Sequence, residues 1–124
     1  MLADDSSMRE ERGQIAGDII IYDPWNLWGS VGGKVTVVQN GKLYVRGAIY
    51  GDLIVEFGGR VHVFGNISGN IYVHKGAKLI HSGVLGGDAI NEGGRLFIDA
   101  TATVMGKVKT IEGDTTDKRR AAKE

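Results

Sequence analysis

Three histidines are the residues of this chain best suited to bind a metal ion or to move protons. They are His62, His74 and His81. Three imidazole nitrogens that converge on one point could hold zinc. On an 18-residue register, however, each histidine falls in a column of its own. His62 and His74 should face outward and His81 inward, so we expect two surface histidines, one core or corner histidine and no metal site.

Carboxylates occupy a polar position that follows a glycine in each repeat, where they could serve acid–base chemistry or bind calcium. That column contains Asp18, Lys34, Asp52, Asn70, Asp88 and Lys107. A catalytic pair needs two adjacent acids, but Lys34 separates the first two and Asn70 separates the next two. The sequence therefore predicts surface pairing between neighbouring repeats, worth about 0–1 kcal/mol for each pair.

A glycine-rich stretch from Gly86 to Gly94 is the remaining candidate for chemistry, as a phosphate-binding loop. It lacks the Gly-Lys-Ser/Thr ending and the helix that such a loop requires. Within it, Asn91 takes the column position of Val37 and Val55. We predict a partly buried asparagine that bonds to backbone at a corner. No serine stands with a histidine and an acid, so we expect no enzymatic activity and no cofactor.

These residues are positioned by a repeat of about 18 residues that runs through most of the chain. Alternation of apolar and polar residues places one set of side chains inward along a strand, and a fixed period of this length is typical of a β-solenoid. The predicted fold is an all-β, single-domain, three-faced parallel β-helix of about five turns. Its inward columns should contain Val31, Val35, Val37, Leu43, Val45, Ile49, Leu53, Val55, Val61, Val63, Ile67, Ile71, Val73 and Leu79.

The repeat also sets the predicted boundaries and irregularities. We expect a disordered polar tail at 1–14, the solenoid domain at 15–110 and a disordered charged tail at 111–124. One residue is missing between Gly83 and Gly94 relative to the register, and the spacing stretches by a bulge-like insertion between Ala100 and Thr103.

Composition excludes several classes of function. Among 124 residues there are 20 glycines, one proline and no cysteine, and the formal net charge is zero. We therefore expect no disulfide framework, no nucleic-acid partner and no integral membrane segment. A cytoplasmic location is the default expectation.

Outward-facing residues are the more informative candidates for function. One predicted outer column contains Ile20, Ile54, Tyr72 and Ile90, and a second contains Tyr44, His62, Ile80 and Phe97. Charged residues are nearly absent from both columns, so we predict that they form one contiguous face for docking a protein, either a second copy or a partner. Trp25 and Trp28 are predicted to cap one end of the stack or to form an interface there.

The stretches from Gly47 to Val55 and from Gly65 to Val73 share the pattern Gly-x-Ile/Val-x-Gly-x-Ile/Leu-x-Val. This pattern resembles the repeats of bactofilins, which are bacterial polymer-forming cytoskeletal proteins. The resemblance implies a right-handed solenoid and end-to-end assembly into filaments without nucleotide. The apolar step of six residues is also similar to that of hexapeptide acyltransferases, but Tyr50 and Glu56 stand where those enzymes usually have a small residue.

The leading hypothesis is a non-enzymatic bacterial β-solenoid that acts by protein–protein association, as a filament or as a homo-oligomer. The alternative is a small cytoplasmic immunity protein that neutralises a cognate toxin. A hexapeptide-type acyltransferase is a third and less favoured reading.

Overall fold

Strands alone build the protein: the computed structural model describes residues 8–119 and contains seventeen β-strands and no helix in that range. Most turns of the chain contribute three short strands, and every strand pair is parallel. The strands therefore stack into a three-faced β-solenoid of about six turns, spaced about 18 residues apart. The predicted fold is confirmed, with one turn more than expected.

The three faces are named A, B and C. Face A contains β1 (Arg9–Glu11), β4 (Pro24–Leu27), β7 (Lys42–Val45), β10 (Arg60–Val63), β13 (Lys78–His81) and the C-terminal halves of β15 (Ala89–Ile98) and β17 (Val108–Asp117). Face B contains β2 (Gln14–Ile15), β5 (Ser30–Val31), β8 (Ala48–Ile49), β11 (Asn66–Ile67), β14 (Val84–Leu85) and β16 (Thr103–Val104). Face C contains β3 (Ile19–Ile21), β6 (Val35–Val37), β9 (Leu53–Val55), β12 (Ile71–His74) and the N-terminal halves of β15 and β17.

A single apolar column fills the centre of the stack. All of the residues predicted to point inward are buried, and Leu53, Ile71 and Val73 are fully covered while their neighbours Ile54 and Tyr72 are half-exposed. Alternation along each strand causes this division, because successive side chains point to opposite faces of a sheet. The turns above and below cover the aliphatic residues of each turn, so stacking of the repeats builds the core.

Tight turns join face C to face A at each level. Asn40, Gly58 and Gly76 stand at equivalent positions of three such corners, with φ angles of 74°, 81° and 79°. These values lie in the left-handed region, which glycine adopts without steric cost and asparagine tolerates better than most residues. The glycines of the repeat therefore hold corners of the solenoid.

Two changes of register occur where the sequence predicts them. Val73 pairs with Asn91 at a spacing of 18 residues, whereas Lys78 pairs with Arg95 at a spacing of 17, so the missing residue falls at the corner between them. Val84 then pairs with Thr103 at a spacing of 19, which locates the insertion before β16. At the shortened corner the strand continues through, so β15 spans two faces.

The structure corrects the predicted boundaries of the solenoid. Strand β1 pairs with β4 before residue 15, and β17 pairs with β15 as far as Asp117. Backbone hydrogen bonds hold these two strands although their side chains are mostly polar, and such bonds leave no apolar pattern in the sequence. The stacked strands therefore span 9–117, and the rest of the predicted tails, 1–7 and 120–124, lies outside the described residues.

Candidate interaction faces

A row of basic side chains runs along the outside of face A. The strand register stacks Lys42, Arg60, Lys78 and Arg95 directly on one another at successive levels. All four are exposed, and no ion pair involves them within residues 8–119. Stacked strands lie about 4.8 Å apart, so this row concentrates four like charges within about 15 Å. We call it the basic row.

Aromatic residues lie beside the basic row on the same face. The His62 and Phe64 rings stack with their centroids 3.9 Å apart, and Tyr44 lies 6.4 Å from each of them. The Arg46 guanidinium lies 4.9 Å from the Phe64 ring and 5.0 Å from the Trp28 ring. Cations over aromatic faces are attracted by the ring quadrupole, so Arg46 joins two levels of the surface. Burial of the His62 ring is the main cause that lowers its pKa, which favours the neutral form.

A polar network covers the lower end of face A, which is the end formed by the N-terminal strand β1. The Trp28 indole N–H donates to Glu10 at 2.7 Å, and the Asn26 amide donates to the other Glu10 oxygen at 3.0 Å. These bonds to its charged form are the main cause that lowers the Glu10 pKa. Arg46 in turn donates to the side-chain amide oxygen of Asn26 at 3.0 Å. Three successive levels are thereby joined through side chains.

One edge of face C is the polar column that follows a glycine in each repeat. It contains Asp18, Lys34, Asp52, Asn70, Asp88 and Lys107. The Asp52 carboxylate accepts the backbone N–H of Asn70 at 2.8 Å, and the Asn70 amide oxygen accepts that of Asp88 at the same distance. Asp18 and Asp88 accept from the backbone of Lys34 and Lys107 in the same way. The predicted pairing between side chains is therefore wrong: a short acid or amide reaches the N–H one level up, and the lysine side chains take no part.

A second acidic edge borders the other side of face C. Glu56, His74 and Glu92 follow one another at successive levels, and His74 Nδ1 lies 3.2 Å from a Glu92 carboxylate oxygen. The residues between the two edges are the predicted outer column, with Ile20 exposed and Ile54, Tyr72 and Ile90 half-exposed. Face C therefore presents an apolar row with carboxylates on both sides at the levels of Ile54 and Ile90.

The two predicted outer columns lie on different faces. Ile20, Ile54, Tyr72 and Ile90 belong to face C, whereas Tyr44, His62, Ile80 and Phe97 belong to face A. The chain turns through a corner between them at every level, so they do not form the one contiguous patch that the sequence suggested. The basic row was missed, although the 18-residue register that aligns the core also aligns Lys42, Arg60 and Lys78.

The two tryptophans have separate roles, and neither is at the end of the stack. Strand β1 lies beyond β4, with Arg9 directly below Trp25. The Arg9 guanidinium is 4.1 Å from the centroid of the Trp25 ring, which is 7% exposed. Trp28 faces outward on face A and is 42% exposed. Trp25 therefore closes the lower end of the apolar column above strand β1, and Trp28 belongs to the outer surface.

The three histidines occupy the columns predicted for them. His62 faces outward between Tyr44 and Ile80, His74 faces outward on face C, and His81 is buried. Within residues 8–119, no three His, Cys, Asp or Glu side chains are placed together so that they could hold a metal ion.

His81 is a buried titratable group. Its Nε2 atom donates to the Thr103 carbonyl oxygen at 3.0 Å, and its Nδ1 atom has no hydrogen-bond partner within the described chain. Burial is the main cause that lowers its pKa from 6.5; Arg119 lowers it further, and the bond to Thr103 raises it. Protonation of Nδ1 would place a charge among Val63, Ile98 and other apolar residues. Burial therefore favours the neutral ring in the folded protein.

We expect the buried imidazole to make stability depend on pH. Because the folded-state pKa lies below the unfolded value of 6.5, the unfolded chain binds more protons in acid, and stability falls as the pH decreases below about 6.5 and through the folded pKa. His81→Val should flatten this slope, because valine already fills the same column at Val45 and Val63. Urea titrations between pH 7.5 and 5 measure it, with His74→Gln as the exposed control. Parallel curves for His81→Val and the parent would contradict the assignment.

The fold and the two faces define a class, the parallel β-solenoids with three faces. No protein-family model, curated protein or solved structure matches the chain. Residues 8–119 include no helix long and apolar enough to cross a membrane.

Proposed function

We propose that this chain is a non-enzymatic β-solenoid that acts by protein–protein association, as a self-assembling structural protein or oligomer of the bactofilin kind. The observation that carries the proposal is the outer surface of face A, where an exposed basic row runs beside half-buried aromatic residues. Side chains of one type recur at each level, so the surface is a long repeating strip. Such a strip suits another extended protein surface better than a small substrate.

The grooves of face A support this reading. One of them is lined by Lys42, Tyr44, Arg60, His62, Lys78 and Ile80, and it follows the stack across three levels. Its cations lie on one side and its rings and aliphatic residues on the other. Aromatic residues and arginine are enriched where proteins bury surface against each other. The groove therefore has the chemical composition of an interface.

The basic row also favours a second candidate function. An immunity-type protein that binds a toxin would need a surface that recognises its partner by charge, and four stacked cations would fit an acidic protein surface. This reading requires a chain that remains a discrete monomer or dimer by itself.

Association can be tested on the purified protein by sedimentation velocity and negative-stain electron microscopy over a hundredfold range of concentration. The proposal predicts species larger than a monomer whose share grows with concentration, as ordered assemblies or as closed oligomers. A single monomeric species at every concentration would contradict self-association and leave the toxin-binding candidate in place. That result would be decisive if the sedimentation boundary had the size of a monomer at both low and high salt.

A further inference from the structure

Faces A and C carry opposite charges over the middle of the stack. Over the four levels from Lys42 to Asp99, the charged side chains on the outside of face A are five cations, Lys42, Arg46, Arg60, Lys78 and Arg95, and one acid, Asp99. Between residues 52 and 92 every charged side chain on the outside of face C is an acid, namely Asp52, Glu56, Asp88 and Glu92. The acids occupy two of three successive levels of face C, and Lys34 and Lys107 stand in the column of Asp52 and Asp88 at the levels below and above. The two faces therefore differ in charge over the middle of the stack, although the chain as a whole is neutral.

The two faces also share a layout. On face A the basic row lies along one side of a half-buried row that includes Tyr44, Ile80 and Phe97. On face C, acids stand on both sides of the half-exposed Ile54 and Ile90, and Asn70 and His74 stand on the two sides of Tyr72. Both rows run along the same stack, so the residues of each row are spaced about 4.8 Å apart. An apolar row can therefore meet an apolar row while a cation edge lies along an acid edge.

We propose that face A of one copy of this chain docks on face C of a second copy. The inference rests on the proposed self-association and names its interface. Within one copy the two faces meet at a corner and look outward in different directions, so they cannot contact each other. In two copies, Arg60 and Lys78 would lie against an edge that contains Glu56 and Glu92. Like charges would face each other if A met A or C met C, which disfavours both of those pairings.

A pairing of two different faces has a consequence for the size of the assembly. The first copy keeps its face C free and the second keeps its face A free, so a third copy can bind at either side. Interfaces of this kind continue until a ring closes or a helical filament forms. The assembly therefore grows laterally and does not stop at a dimer. An acidic foreign partner would explain face A alone and would leave the acidic, apolar surface of face C without a role.

Charge reversal tests the inference directly. One variant carries Arg60→Glu and Lys78→Glu, which makes face A acidic; a second carries Glu56→Lys and Glu92→Lys, which makes face C basic. All four side chains lie at the outer surface, so both variants should fold, and circular dichroism with thermal unfolding checks that they do. A matched control, Asn66→Glu with Ser68→Glu, adds two charges to exposed positions of face B.

Each reversed variant alone should lose association by about tenfold or more in dissociation constant, because like charges then meet. An equimolar mixture of the two should regain it, since the acidic face A of one variant meets the basic face C of the other. The control pair should associate as the parent does. If the parent assembles and both reversed variants assemble equally well, the face-to-face interface is overturned while self-association stands. If the parent itself stays monomeric, self-association fails and the interface fails with it.

Discussion

Gly65→Ala is expected to lower the free energy of unfolding by about 3 kcal/mol, at the upper end of the cost of overpacking. Gly65 stands where face A turns into face B, and its N–H donates to the Val45 carbonyl oxygen at 2.8 Å. A methyl group on its Cα would overlap the carbonyl oxygen of Gly47, which is at the same corner one level below. That oxygen belongs to the backbone and accepts the N–H of Asn66 at 2.9 Å, so it cannot move aside without breaking the ladder.

The chain provides a matched control for this substitution in Gly32. An added Cβ there would find its nearest atom, the Ile15 carbonyl oxygen, at 3.6 Å, which is ordinary contact. Gly32→Ala should therefore stay within about 0.5 kcal/mol of the parent. Urea unfolding followed by circular dichroism measures both variants. Equal stabilities for the two variants would show that the corners of the solenoid are looser than the stacking indicates.

Asn91→Val is expected to cost a similar amount, about 3 kcal/mol, for an electrostatic reason. The Asn91 side chain is fully buried, and its oxygen accepts the backbone N–H groups of Gly93 and Gly94 at 3.1 and 2.8 Å. Its amide nitrogen lies 3.1 Å from the Gly94 carbonyl oxygen and 3.0 Å from that of Asp114. Removal of the amide leaves buried backbone groups without a partner, and each of these costs about 1–3 kcal/mol.

The shape of valine is not the cause of this cost. Val37, Val55 and Val73 fill the same column at three lower levels, so the space accepts the side chain. Asn66→Val on the exposed side of β11 is the control, and it should change stability by less than about 0.5 kcal/mol. If Asn91→Val were as stable as the parent, the shortened corner would not depend on the amide. The same urea titrations decide between these outcomes.

Much of the fold can be predicted from the sequence, because the same pattern of buried residues recurs in every repeat. Leu53, Ile71 and Val73 fall in the core since the period of two along a strand and the period of 18 along the chain agree at each of them. Asn91 could be predicted as a bonded asparagine because it breaks a column of valines. The missing residue before Arg95 was visible for the same reason, as a departure from a known spacing.

The rest depends on interactions that leave no period in the sequence. Strand β1 is held by backbone pairing with β4 and by the Arg9 guanidinium over Trp25, and its own residues are polar. The partition of the outer columns between two faces depends on where each corner falls, which apolar spacing does not reveal. Asp52 and Asp88 reach backbone N–H groups one level up, a bond that the identity of the next residue in the column does not predict.

The two register changes around β15 differ in size, and this has a consequence for how the protein can vary. One corner has one residue fewer before Arg95, the next has two residues more before Thr103, and β17 still pairs with β15 along both faces. Length can therefore be gained or lost at a corner without disturbing the levels on either side. Corners are the positions where related sequences could differ in length. A peptide could also be inserted there without changing the outer surfaces of faces A and C.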